Sequence, residues 1–286
     1  MLVLDNIILD PIVIVLTLLA SYFLVKLVSK IIPFKNNKAL KILALLPFSL
    51  SIGSVDYLGD TNILIVLIFY IVIFQLSFMG KATNKFIISL MFYLLLSSFN
   101  LIVSTIFVTN DFKFFPNEEY LYLVKALSWI IISNILLKYM GNIEVKLSKK
   151  LWLLLGGLSA GLFFIIIGFS NIGFGALLDI FTDITKPEYV ASNYYYEVLD
   201  MLNKIGYIIF PSVFLSTLAL FAAIKVLIKH EELLEKDALE NIKENYYKAL
   251  QREQKTVRTI RHDMKNHLLT VQAMIEKKTI IRQMTT

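Results

Sequence analysis

Residues 86–108 read FIISLMFYLLLSSFNLIVSTIFV, twenty-three positions without a charged side chain. A helix rises about 1.5 Å per residue and a bilayer core is about 30 Å thick, so roughly 20 apolar residues cross it. This stretch is long enough. Lipid offers no partner to backbone N–H and C=O groups, so a crossing segment must satisfy them internally, as a helix. The stretch decides the fold class: all-α, with membrane-spanning helices.

Working outward, comparable apolar runs occupy residues 7–28, 40–58, 63–79, 120–140, 151–169 and 205–228. The second is interrupted by Pro47, Gly53 and Asp56. The expected architecture is a polytopic transmembrane bundle of about seven spans over residues 1–228. Composition agrees: 57% of the 286 residues are hydrophobic and 17% charged, with a mean hydropathy of +0.69. Soluble domains run near 45–50% apolar and about 25% charged, so an ordinary globular enzyme is excluded. The 58 residues after 228 are fewer than the roughly 100–150 of a typical catalytic domain. Cysteine is absent, which removes disulfides, thiolate nucleophiles and cysteine-based metal sites. The first run begins after six residues, without a basic leader or a small-residue cleavage site, so no cleaved signal peptide is expected.

Lysine sets the expected orientation. With the N-terminus outside, the inward ends of seven spans carry Lys26, Lys30, Lys35, Lys38, Lys41, Lys81, Lys85, Lys138, Lys146, Lys149, Lys150 and Lys225, against one acid, Glu144. The outward side takes Asp60, Asp111, Glu118, Glu119, Asp179, Asp183, Glu188 and the remaining acids. Basic residues stay cytoplasmic during insertion, so the pattern predicts a multi-pass protein of the bacterial plasma membrane with its C-terminus in the cytoplasm. The net charge of +6 thus reflects topology, and no nucleic-acid partner is expected.

The longest outward connection, residues 171–204, carries Tyr189, Tyr194, Tyr195 and Tyr196. It reads either as a cap over an extracellular ligand site or as an interfacial aromatic belt. Asp10, Asp56 and Lys125 lie in or near spans, where ionisable groups are costly and often line a cavity. No histidine precedes His230, so a His-Glu-x-x-His metalloprotease is excluded, and no Gly-x-Ser-x-Gly elbow occurs. Gly156, Gly157 and Gly161 fit close helix packing.

Composition changes at the end of the last span. All four arginines and all three histidines follow residue 229, and residues 229–278 hold neither glycine nor proline. Rich in Glu, Lys, Leu, Ala and Gln, this segment predicts one long cytoplasmic helix: a linker over 229–252, a dimerisation and phosphotransfer helix over 253–278, and a tail over 279–286. Val257, Ile260, Met264, His267, Val271 and Met274 recur in steps of three and four, the mark of a coiled-coil seam. A homodimer through this helix is the simplest partner; a solvated surface helix is the alternative. His267 falls on the seam. His262 lies on the opposite face with Asn266 four residues on, and Asp263 adjoins it. A nucleophilic imidazole needs exposure, a free nitrogen and a neighbour for its other proton. His262, Asp263 and Asn266 supply that set.

The string Arg261-His262-Asp263-Met264-Lys265-Asn266-His267-Leu268 resembles the H-box of peptide-sensing bacterial sensor histidine kinases of the accessory-gene-regulator type. These carry an Arg-His-Asp-x-x-Asn core after a polytopic receptor and a linking helix. The sequence likeness covers about fifteen residues; the membrane half shares layout only. The resemblance implies that His262 is the phosphoacceptor, Asp263 its acid/base, and Asn266 a support for phosphotransfer or phosphatase chemistry. It also implies an extracellular peptide ligand, quorum-sensing signal transduction and a response regulator that receives the phosphoryl group.

Such kinases continue into a GHKL-type ATP-binding domain with Asn- and Gly-rich boxes. Twenty-four residues follow His262 and no glycine follows Gly206. Phosphoryl transfer depends on positioning nucleotide and metal, so ATP and magnesium are expected only with a domain beyond these residues, and the chain alone is expected to lack kinase activity. A truncated or frameshifted kinase, a fragment of a longer chain, or a receptor using a partner's ATP domain all fit. So do a non-enzymatic dimerising receptor that modulates intact kinases, and a small transporter or scaffold with a coiled-coil tail.

Overall fold

Apolar runs without water to hydrogen-bond must close their backbone bonds within a helix, and helices are what the chain forms. The computed structural model describes residues 2–53, 62–109, 118–141, 147–182 and 188–284, with side chains over 11–53, 64–106, 120–141, 147–173, 197–198 and 200–275. Its helices are α1 (Leu2–Ile31), α2 (Lys38–Leu43), α3 (Leu46–Ile52), α4 (Asn62–Ser77), α5 (Ala82–Thr109), α6 (Glu118–Met140), α7 (Lys149–Thr182) and α8 (Glu188–Met284). The chain divides into two units, Met1–Ile228 and Lys229–Thr286.

Among the described residues five helices, α1, α5, α6, α7 and α8, are long and apolar enough to cross a membrane, and Leu64–Ser77 of α4 is a shorter apolar run. The chain therefore has the helical character of a membrane-associated protein. The expected second span differs. Instead of one helix over 40–58 there are two short ones, broken at Ala44 and Leu45. Proline lacks an N–H and its ring clashes with the carbonyl four residues earlier; for Pro47 that residue is Leu43, where α2 ends. Asp56, Asp60, Asp111, Glu144, Lys146 and Asp183 lie outside the described residues, as do the side chains of Asp10, Glu118, Glu119, Asp179 and Glu188.

The segment expected as the long outward connection is mostly helix. α7 continues to Thr182 and α8 starts at Glu188, so most of 171–204 is helical backbone. The side chains of Tyr189, Tyr194, Tyr195 and Tyr196 lie outside the described set. Pro211 sits within α8 without ending it.

In the first unit α5 is the centre. Its apolar window is 83% buried, against 22–39% for the other four candidate spans. It packs on α3, α4, α6 and α7, while α1 packs on α6. Aromatic rings join these layers. Phe92 of α5 meets Phe48 of α3 at 5.9 Å, Phe74 of α4 at 6.4 Å and Phe221 of α8 at 4.9 Å. Phe99 meets Trp129 of α6 at 5.1 Å and Phe214 of α8 at 5.6 Å. The Phe48–Phe92, Phe92–Phe221 and Phe99–Trp129 pairs meet edge-on, which adds to plain burial.

Small polar residues inside the bundle turn back on their own helices. Ser21, Ser98, Ser133, Ser159, Thr105 and Thr217 each donate to the carbonyl four residues earlier, which satisfies the hydroxyl in an apolar setting. Between helices, Asn100 Nδ2 donates to Ser51 O, and Ser51 Oγ lies 2.9 Å from Tyr70 Oη. Of the three glycines expected to mediate packing, only Gly156 does so tightly. A Cβ there would stand 2.9 Å from Ile87 Cγ1, whereas Gly157 and Gly161 face open space. Lys125 is fully buried within α6.

Candidate functional site

Residues 229–275 stay helical through propensity, with little help from burial. Glycine and proline are absent, and Glu244 pairs with Lys248 at 2.6 Å, the favourable order for an i,i+4 pair. Exposure keeps that contribution small. Thr256, Thr259 and Thr270 donate to carbonyls one turn back. The result is an exposed helical scaffold on which side-chain positions follow from 3.6 residues per turn.

On it, His262, Asp263 and Asn266 come together. Asn266 Nδ2 lies 3.2 Å from His262 Nδ1, and Asp263 Oδ1 lies 3.7 Å from the same nitrogen. The histidine side chain is 72% exposed and the aspartate 62%. The aspartate distance is an ion-pair separation, longer than a hydrogen bond. The two neighbours select opposite tautomers. Asn266 Nδ2 donates to Nδ1 only when Nδ1 is bare; the carboxylate favours a proton there. With the proton on Nδ1, the lone pair sits on Nε2, which has no partner among the described residues.

An exposed apolar stripe runs along this helix near the expected seam. Val257, Ile260, Met264, Leu268, Val271 and Ile275 are all exposed. On a straight helix at about 100° per residue they fall within roughly 40° of Met264, with His267 about 60° away at the edge. The heptad reading passed through His267 and Met274, whereas the straight helix favours Leu268 and Ile275. His262 lies nearly opposite the stripe under either phase.

Two further polar nodes lie in the first unit, and neither was singled out from sequence. Lys225 donates to Tyr139 O and sits 4.3 Å from the centre of the Tyr139 ring. Lys35 and Lys85 both reach the carbonyl of Gln75, at 3.4 and 3.0 Å. In the sequence these lysines carried only a topological signal; their convergence depends on contacts between connections far apart in the chain. Among the described residues no group of three or more histidine, aspartate or glutamate side chains is placed to hold a metal ion.

Compared with protein-family models, with curated proteins and with solved structures, the chain returns no match.

Proposed function

We propose that this chain is the receptor and phosphoacceptor portion of a two-component sensor histidine kinase. It would sense an extracellular peptide and dimerise through residues 229–284, with its C-terminus in the cytoplasm. The observation that carries the reading is an exposed His262 whose Nδ1 stands 3.7 Å from the Asp263 carboxylate, the neighbour that favours the tautomer with its lone pair on Nε2. Nε2 attacks the γ-phosphorus of ATP held by a separate ATP-binding domain. A nitrogen–phosphorus bond forms, the bond to the bridging oxygen breaks and ADP leaves. Asp263 holds the Nδ1 proton and stabilises the charge that develops on the ring. The phosphoryl group then passes to an aspartate of a response regulator.

The test incubates membranes containing the full chain with labelled ATP and the ATP-binding domain of an intact sensor kinase. Acid-labile label is expected on this chain, absent in His262→Gln and reduced about 100-fold in Asp263→Asn. Label surviving in His262→Gln, or never appearing beside an active domain, sinks the assignment.

The uncovered stripe Val257, Ile260, Met264, Leu268, Val271 and Ile275 supports a second reading: a dimerising receptor that modulates intact kinases without chemistry of its own. That role would survive His262→Gln in co-expression.

A further inference from the structure

The connections that follow α1 and α4 meet at one corner of the first unit. Met79 N donates to Pro33 O at 2.8 Å, Lys35 N donates to Ser77 O at 3.0 Å, and the Phe34 and Phe78 rings stack at 4.4 Å. This clasp places Lys35 beside Lys85. Both ammonium groups donate to the carbonyl of Gln75, and the Gln75 side chain donates onward to Ala82 O at 2.9 Å, tying in the start of α5.

The corner is short of negative charge. Gln75 O belongs to the last turn of α4, where a helix presents roughly half an elementary negative charge. Two lysine amino groups share it. Among the described residues no carboxylate pairs with either lysine, and Lys81 adds another exposed cation one turn before Lys85. Lys85 is only 8% exposed, and Lys35 is half-buried. Holding lysine on one side of a membrane requires charge but no convergence; Lys38 and Lys41, both exposed, serve that purpose without it.

We propose that Lys35 and Lys85 form a binding site for a phosphate oxyanion. The pair stands beside the ends of two candidate spans, Pro11–Ile31 and Ala82–Ile106, and the ends of helices that cross a bilayer reach its headgroups. Basic pockets between membrane helices take such headgroups. Two ammonium donors aimed at one point suit two oxygens of a phosphodiester or of free phosphate. The site involves neither His262 nor the C-terminal unit, so it stands or falls independently of the kinase reading.

The test reconstitutes the full chain in phosphatidylcholine nanodiscs and measures its preference for spin-labelled phosphatidylglycerol over spin-labelled phosphatidylcholine. A preference of about fivefold is expected, the weight of one lysine near an anionic surface. It should vanish in Lys35→Gln/Lys85→Gln and persist both in Lys35→Arg/Lys85→Arg and in the charge-matched control Lys38→Gln/Lys41→Gln. A second arm follows inorganic phosphate by phosphorus NMR line broadening on the detergent-solubilised chain. Broadening that requires Lys35 and Lys85, without a lipid preference, identifies free phosphate as the occupant and still supports the site. Equal losses in both glutamine pairs, or no preference together with no broadening, overturn it. If the double variant fails to reconstitute, Lys35→Gln alone is read against Lys38→Gln in the same way.

Discussion

Helix α5 and residues 229–284 are both helical, and they arrive there by different physics. α5 is almost wholly apolar and 83% buried; with no water in reach, helix formation is the way its backbone satisfies itself. Residues 229–275 are rich in charge and, apart from the half-buried Glu231, exposed, and their helix rests on propensity and short-range pairs. Apolar side chains therefore mean different things in the two places. In α5 they are already packed. In the C-terminal unit the stripe around Met264 contributes nothing until something covers it.

The sharpest way to break this contrast is to remove one side chain from each region. Phe92 is fully buried against Phe48, Phe74 and Phe221, and Phe92→Ala should cost about 3–5 kcal/mol through lost packing and the cavity left behind. The loss should not depend on protein concentration. If residues 229–284 pair with a second copy, Met264→Ala, at a position 60% exposed, should cost nothing in dilute protein and more as concentration rises. Unfolding in mixed detergent, followed by helical circular dichroism at two protein concentrations, separates the cases. A Phe92→Ala cost below about 1 kcal/mol would show that α5 is not the packed centre.

This contrast also explains what was legible in sequence. The all-helical class and the apolar helices were readable because a membrane crossing requires length and the absence of charge, and residues 86–108 display both. The break in the second segment was only half legible. Pro47 signalled an interruption, and its ring accounts for the end of α2 at Leu43; that the chain resumes as a separate short helix packed on α4 and α5 was not readable. At the candidate site, i,i+4 spacing alone placed Asn266 beside His262, and 3.2 Å is the outcome. The lysine pair at Gln75 was invisible, since residues 35 and 85 lie fifty positions apart and meet through tertiary contacts with the end of α4, among them the Phe34–Phe78 bridge and the shared Gln75 carbonyl.

A smaller effect sharpens the stripe itself. If residues 229–284 pair with a second copy, Ile260→Asp buries an unpaired carboxylate at the contact. About 100-fold weaker dimerisation is expected, roughly 2.7 kcal/mol. Leu269→Asp, about 20° from His262 on the helix wheel, should change little. Sedimentation of the full chain in detergent reads both. The same assay ranks the two phases of the stripe. A greater loss from Leu268→Asp than from His267→Asp favours the straight course; the reverse ranking favours a supercoiled heptad.

The smallest prediction returns to the crossing of α5 and α7 and concerns sign more than size. Replacing a mid-helix glycine by alanine favours the helix by about 1 kcal/mol, because glycine gives up more backbone freedom on ordering. Gly157 faces open space, so Gly157→Ala should gain most of that amount. Gly156 shares the same helix and the same gain, but its new Cβ would stand 2.9 Å from Ile87 Cγ1 and 3.0 Å from Cδ1. Ile87 is itself buried and can yield only by pressing into its own neighbours, a strain of about 1–3 kcal/mol. Gly156→Ala should therefore be neutral or destabilising while its neighbour stabilises, read in the same detergent titration. Relief of the clash by Ile87→Ala should restore the gain at residue 156, because the opposing term then has no atoms left to act through. Equal stabilisation at both glycines would mean that α7 does not approach α5 as closely as the Gly156–Ile87 contact requires.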